Sequence, residues 1–183
     1  MDLNKQFDAF RYFNALTASN RLCKEHGFVC TSCSGIGGLE GAINEYLSTA
    51  NLIIVSDTTS GRTFSQGVSF FEEQVYTVFI VMSFEHMSMR DRQKKLNIAR
   101  EIFRQFHSKL IYDKFYTNNM ELSEQLEFLK PDSIYSRELE GSFINGKTGL
   151  YIMLNNQEPI DLVYDKEQWL PKIFDNTFDE TYG

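Results

Sequence analysis

Proline is scarce, with three residues in a chain of 183, which leaves few rigid breaks between elements. Cysteine is as rare, and its three copies, Cys23, Cys30 and Cys33, fall close together. An odd number in one short stretch does not make the disulfide framework of a small secreted domain. Positive charge is also in deficit. Eighteen Lys and Arg stand against 25 Asp and Glu, for a formal net charge of −7. A protein that binds nucleic acid by displacing phosphate counterions usually carries a basic excess, so direct nucleic-acid binding is not expected. The six cations from Arg90 to Arg104 (Arg90, Arg92, Lys94, Lys95, Arg100, Arg104) read as the solvated face of one helix. No run approaches the roughly 20 apolar residues needed to cross a bilayer, which argues against a membrane partner. The start, Met1-Asp2-Leu3-Asn4-Lys5, lacks the charged and then apolar plan of a signal peptide, so a reducing cytoplasm is the expected location.

Apolar material is plentiful. Hydrophobic residues make up 42% of the chain, enough for a real core without disulfides or metal. The length suits a single domain over 1–183: a helical N-terminal extension (1–49), an α+β core (50–156) and a C-terminal extension (157–183). Residues 3–26 read as an amphipathic helix carrying Leu3, Phe7, Phe10, Phe13, Leu16 and Leu22, with Gly27 as its stop. After a short apolar stretch, Phe28-Val29-Cys30, and a glycine-rich turn, a short helix is expected from about Leu39 to Leu47. Leu52-Ile53-Ile54-Val55 is a strand by β-branching, and the polar run Asp57 to Arg62 reads as a turn. Ser65 to Phe71 is a weak strand or a loop.

The clearest strand is Gln74 to Phe84. Both of its alternating faces are apolar, which places it centrally with cover on either side. The clearest helix is Met89 to Leu110, capped by Ser88 with Asp91, its stripe Leu96, Ala99, Ile102, Phe103, Phe106 and Leu110 facing the sheet. A loop carrying Tyr112, Phe115 and Tyr116 then leads to a short helix, Glu121 to Leu129. Ser133 to Leu154 reads as a hairpin turning at Asn145-Gly146, and beyond Pro159 come Trp169 and an acidic tail. The fold class is α+β: a mixed, mostly antiparallel sheet with a long amphipathic helix packed on it and an extra N-terminal helix.

Motifs for chemistry are few. Cys23, His26, Cys30 and Cys33 spell Cys-x2-His-x3-Cys-x2-Cys, the right ligand types for zinc, but three residues between the pairs leave little chain to wrap a tetrahedron. A small metal- or ligand-binding α+β protein using these four residues is the alternative reading. Ser34 to Gly41 imitates a phosphate-binding turn, yet the third glycine of a dinucleotide fingerprint is replaced by Glu40. His26, His86 and His107 are scattered, Glu72-Glu73 and Asp179-Glu180 look solvated, and no nucleophile motif accompanies them. Catalysis is therefore not expected.

The order of elements from about residue 50 to 156 resembles that of bacteriophage tail-terminator and tail-completion (neck) proteins. A strand, Leu52 to Val55, is followed by a polar turn and the long strand Tyr76 to Phe84 ending near Ser83. The capped helix Arg90 to Lys109 follows, with Arg90, Asn97, Ala99 and Ile102 in the family's spacing, and then a hairpin closing at Gly149-Leu150-Tyr151-Ile152-Met153-Leu154. The resemblance implies a subunit that forms a homo-oligomeric ring, commonly a hexamer, and caps or joins the tail tube or head connector. It implies host cytoplasm during assembly and then the virion as locations, with no cofactor. On that reading the expected contact surfaces are the loop Thr58 to Gln74, with Phe64, Phe70 and Phe71, and the aromatic segment with Tyr112, Phe115 and Tyr116.

Overall fold

The computed structural model describes residues 7–46, 50–85, 87–139, 146–160 and 162. Leu3, Leu47, His86, Asn145, Trp169 and the acidic tail, which enter the sequence reading, lie outside the described residues.

The expected N-terminal helix is two helices, α1 (Ala9–Ser19) and α2 (Arg21–Glu25). Asp8 caps α1 by accepting the Arg11 N–H at 2.8 Å. Near its end the Thr17 and Ser19 hydroxyls bond back to the Phe13 and Ala15 carbonyls, and Asn20 leaves the helix in an extended conformation. Asn20 then serves as the cap of α2, its side-chain oxygen accepting the Cys23 N–H at 3.0 Å. Gly27, at φ 63°, closes α2 as its position suggested.

The next stretch, short and apolar, is a full strand, β1 (Phe28–Cys33), so the N-terminal segment contributes to the sheet as well as to its cover. It runs parallel to β2 (Asn51–Gln66), and the crossover between them carries the short helix α3 (Leu39–Asn44). β2 turns at Gly67-Val68 into β3 (Ser69–Ser83), and β3 pairs on its other side with β5 (Lys147–Ile160). The edge strand β4 (Tyr135–Glu138) completes a five-stranded sheet ordered β1-β2-β3-β5-β4. One pairing is parallel and the others antiparallel, which makes this an α+β fold on a mixed, mostly antiparallel sheet. β4 and β5 pair as expected, but Glu138 stands opposite Leu150, so their connection is far longer than a two-residue turn.

The long helix α4 runs from Met89 to Tyr116, further than its apolar stripe indicated. The Asp91 N–H meets Ser88 Oγ at 3.2 Å, which is the expected cap, while the Asp91 carboxylate takes the N–H of Glu85, ahead of the cap, at 2.8 Å. Leu96, Ala99, Ile102, Phe106 and Leu110 are buried against the sheet face of Ile53, Val78, Ile80, Met82, Ile152 and Leu154, together with Phe13 of α1. Leu52, Ile54, Phe79 and Val81 point the other way and pack under α3. β3 is thus central and covered on both faces where it crosses the core. Each fully buried Leu, Ile or Phe is worth roughly 1.5–3 kcal/mol. This stripe therefore outweighs exposed pairs such as Arg104–Glu101 in holding α4 down.

Candidate assembly interface

The segment expected as a loop from Thr58 to Gln74 is a β-hairpin. β2 bulges between Ser56 and Ser60, then resumes its ladder from Ser60↔Val75 to Gln66↔Ser69. β5 accompanies β3 along the same stretch, from Val75↔Asn155 to Phe70↔Ile160. The three strands form an arm that continues the sheet; on its β5 side it is tied to residues 128–130, the Lys130 N–H donating to the Asn155 carbonyl at 2.9 Å and the Gln157 N–H to the Phe128 carbonyl at 3.0 Å. None of the arm's side chains from Gly61 to Val75 joins either core cluster, and all are exposed or half-buried.

Strand alternation divides the arm's aromatics between two faces. Phe64 and Phe71 are a cross-strand pair, stacked at 5.7 Å between ring centroids, with the Arg62 guanidinium 5.3 Å from the Phe64 ring. Beside them Glu73, which the sequence reading left solvated, has a side chain only 12% exposed. Gln157 Nε2 donates to it at 2.5 Å and Arg62 Nη2 at 3.2 Å. The Gln157 hydrogen bond first, and the Arg62 contact after it, lower the Glu73 carboxyl below the ordinary glutamate range. Phe70 occupies the opposite face, between Ser65 and Ile160, and is 45% exposed.

Tyr112, Phe115 and Tyr116 are not on a loop. They form the outer side of the last turns of α4, at spacings that bring Tyr112 and Tyr116 to 5.9 Å and Phe115 and Tyr116 to 6.5 Å. All three are more than half exposed. Lys109 and Lys114 lie over the Tyr112 and Phe115 rings, and Lys114 Nζ also donates to the Leu126 and Glu127 carbonyls at 2.8 and 2.7 Å, tying α5 (Met120–Gln125) to α4. Desolvation lowers the Lys114 ammonium pKa, and the neighbouring Lys130 adds to it. Inward from the ridge, Asp113 is 3% exposed and accepts the Tyr12 hydroxyl at 2.9 Å and the Lys109 ammonium. Burial, reinforced by Asp113, raises the Tyr12 pKa, so that hydroxyl keeps its proton. Tyr12 touches Phe7, and Phe7 touches Tyr76, where the arm begins. The arm and the aromatic ridge therefore lie at the same end of the molecule.

The structure does not gather Cys23, His26, Cys30 and Cys33. Cys30 and Cys33 are three residues apart on β1, which sends them to opposite faces: Cys30 packs on the α1 side and Cys33 under α3. His26 ends α2, its carbonyl accepting Asn51 Nδ2 at 2.8 Å. Among the described residues no three His, Cys, Asp or Glu side chains are placed to hold a metal ion. Burial pushes Cys23 up to about 12, with Cys30 adding to it, and pushes Cys30 up to about 11 against a lowering hydrogen bond with Thr17. His107 is likewise structural, bonded to the Pro131 carbonyl at 2.8 Å and stacked on Phe103.

Two polar devices have no sequence motif. Lys147, 5% exposed, donates to the Ala50 carbonyl at 2.8 Å and to Ser83 Oγ at 2.7 Å, joining the ends of β2, β3 and β5, and burial lowers its pKa. The other is the Tyr12–Asp113–Lys109 junction between α1 and α4, whose only sequence trace is the four-residue spacing of Lys109 and Asp113. No described helix is long and apolar enough to cross a membrane. Compared with known proteins, the chain matches no family model and no curated protein.

Proposed function

We propose that this protein is a structural subunit of a bacteriophage or prophage tail, acting at the tail terminus or neck, where it assembles as a homo-oligomeric ring that caps or joins the tail tube. The observation that carries this reading is the three-stranded arm. It holds Phe64, Phe70 and Phe71 outside the core, at the same end as the Tyr112–Tyr116 ridge. Aromatic side chains on a projecting ribbon are costly in water and become useful when a partner covers them. Among the described residues no strand pairs with the outer edge of β2 beyond Ser60, where β1 has ended, and that edge suits strand addition by a neighbour. The arrangement of elements shared with tail-end proteins gives the reading its particular setting, in host cytoplasm during assembly and then in the virion. The role needs no catalysis and no cofactor.

The test mixes purified protein with tail tubes from the same phage and images the tube ends by electron microscopy. Capped ends are expected for the wild type, and the Phe70→Glu variant is expected to leave them open. Tubes that stay uncapped at a large excess of wild-type subunit would overturn the proposal.

A further inference from the structure

Two surfaces at opposite ends of β3 carry charged side chains that make no ion pair among the described residues. On the Phe70 face of the arm, Glu72 stands directly across from Glu158. Like charges opposite each other in a ladder destabilise it. Among the described residues neither carboxylate has an ion-pair partner, and Glu158 has only the Asn156 amide at 2.6 Å. Phe70 and Ile160 complete that face.

The second surface is the start of α4. Arg90 and Lys94 are exposed, one turn apart on the solvent side, and also make no ion pair among the described residues. The first turns of a helix are its positive end, so cations there disfavour the helix rather than helping it. Their counterparts further along are neutralised within the chain: Arg100 pairs with Glu138 and Arg104 with Glu101. Met87 and Met89 stand beside the free cations, 87% and 69% exposed. Each surface thus combines exposed apolar groups with charged side chains that make no ion pair among the described residues, carboxylates on the arm and cations on α4, where Asp91 and Glu85 also stand close by.

β3 separates these surfaces by roughly 35 Å between Glu72 and Ser83, at about 3.3 Å per residue, so one chain cannot bring them together. We propose that the arm of one copy docks on the start of α4 of the next, with Glu72 and Glu158 facing Arg90 and Lys94, and Phe70 against Met89. Such a contact uses different patches on the two copies, so it propagates head to tail and closes into a ring or continues as a filament. The inference rests on the assembly reading above and identifies the two surfaces through which it occurs.

The experiment is sedimentation velocity on the full chain at low salt over a range of concentrations, with two charge-reversed variants. One carries Glu72→Lys and Glu158→Lys, the other Arg90→Glu and Lys94→Glu. The first replaces one like-charge pair by another, and the second places acids where the helix dipole favours them, so both are expected to fold. Wild type is expected to self-associate, and each variant alone to do so about tenfold or more weaker. An equimolar mixture of the two variants restores association, because each arm then meets a helix of opposite sign. Recovery in the mixture cannot come from a merely structural role of these residues. A wild type that stays monomeric, or a mixture no better than its parts, overturns the docking contact. Neither outcome touches tube capping, which is read separately by microscopy.

Discussion

At the scale of single residues, the most demanding position is Gly149. It lies opposite Val81 in the central ladder with φ 152°, and a Cβ built on it would stand 1.9 Å from the Ile80 carbonyl oxygen. That oxygen belongs to the backbone of a strand covered on both sides, so it has nowhere to go. Gly149→Ala is expected to cost about 3 kcal/mol or more, read as a fall in the midpoint of urea denaturation. A denaturation midpoint matching wild type would show that β3 and β5 are not held in this register. The sequence marks Gly149 only as one glycine before an apolar run. Its necessity arises from a neighbour some seventy positions away, which no local pattern displays. Lys147 is the same kind of case. One lysine at the start of a strand carries no motif, and its burial against Ser83 and Ala50 comes from three strand ends meeting.

At the scale of elements, those that bury one or both faces were legible. β3 declares itself by apolar residues on both alternations, and α4 by a stripe at spacings of three and four closed by the Ser88 cap. Elements that leave the core were misread. β2 runs on through Arg62 to Gln66 as a strand, although its polar residues and Gly61 resemble a turn, because ladder hydrogen bonds between exposed strands leave no hydrophobic signature. The last turns of α4 fail for a related reason: Tyr112, Phe115 and Tyr116 point outward, off the stripe. The aromatics expected at a contact were thus singled out without the elements that carry them. Asn20 shows the converse, a break inside an otherwise continuous helical pattern, made by one side chain that caps α2.

The arm also has a pH dependence that belongs to this scale. Glu73 is lowered in the folded arm by Gln157 and then Arg62. A carboxyl with a depressed folded pKa favours folding above its unfolded value and loses that contribution as pH falls through the folded one. The arm is therefore expected to loosen on the acid side of the ordinary glutamate range while the core stays closed. Glu73→Gln, which removes the charged acceptor, should weaken the arm at neutral pH by about 1 kcal/mol and remove the part of its acid loosening that Glu73 supplies. Amide exchange in β2 and β3 beyond the bulge measures both. Equal acid sensitivity in the variant would show that Glu73 is not what fastens the arm.

At the scale of the whole molecule, the two layers of helices and sheet account for stability, and what remains is a polarity from one end to the other. One end presents the arm and the aromatic ridge; the opposite end presents the cationic start of α4. The central claim is that the arm is a surface meant to be covered by another subunit or by the tube. Hydrogen–deuterium exchange compares the free protein with the protein bound at tube ends. The account expects the amides of Gly61 to Gln74 to exchange faster than the core strands in the free chain and to gain protection once bound, with β3 from Val78 to Met82 slow in both states. Arm amides that exchange at the same rate free and bound would contradict it.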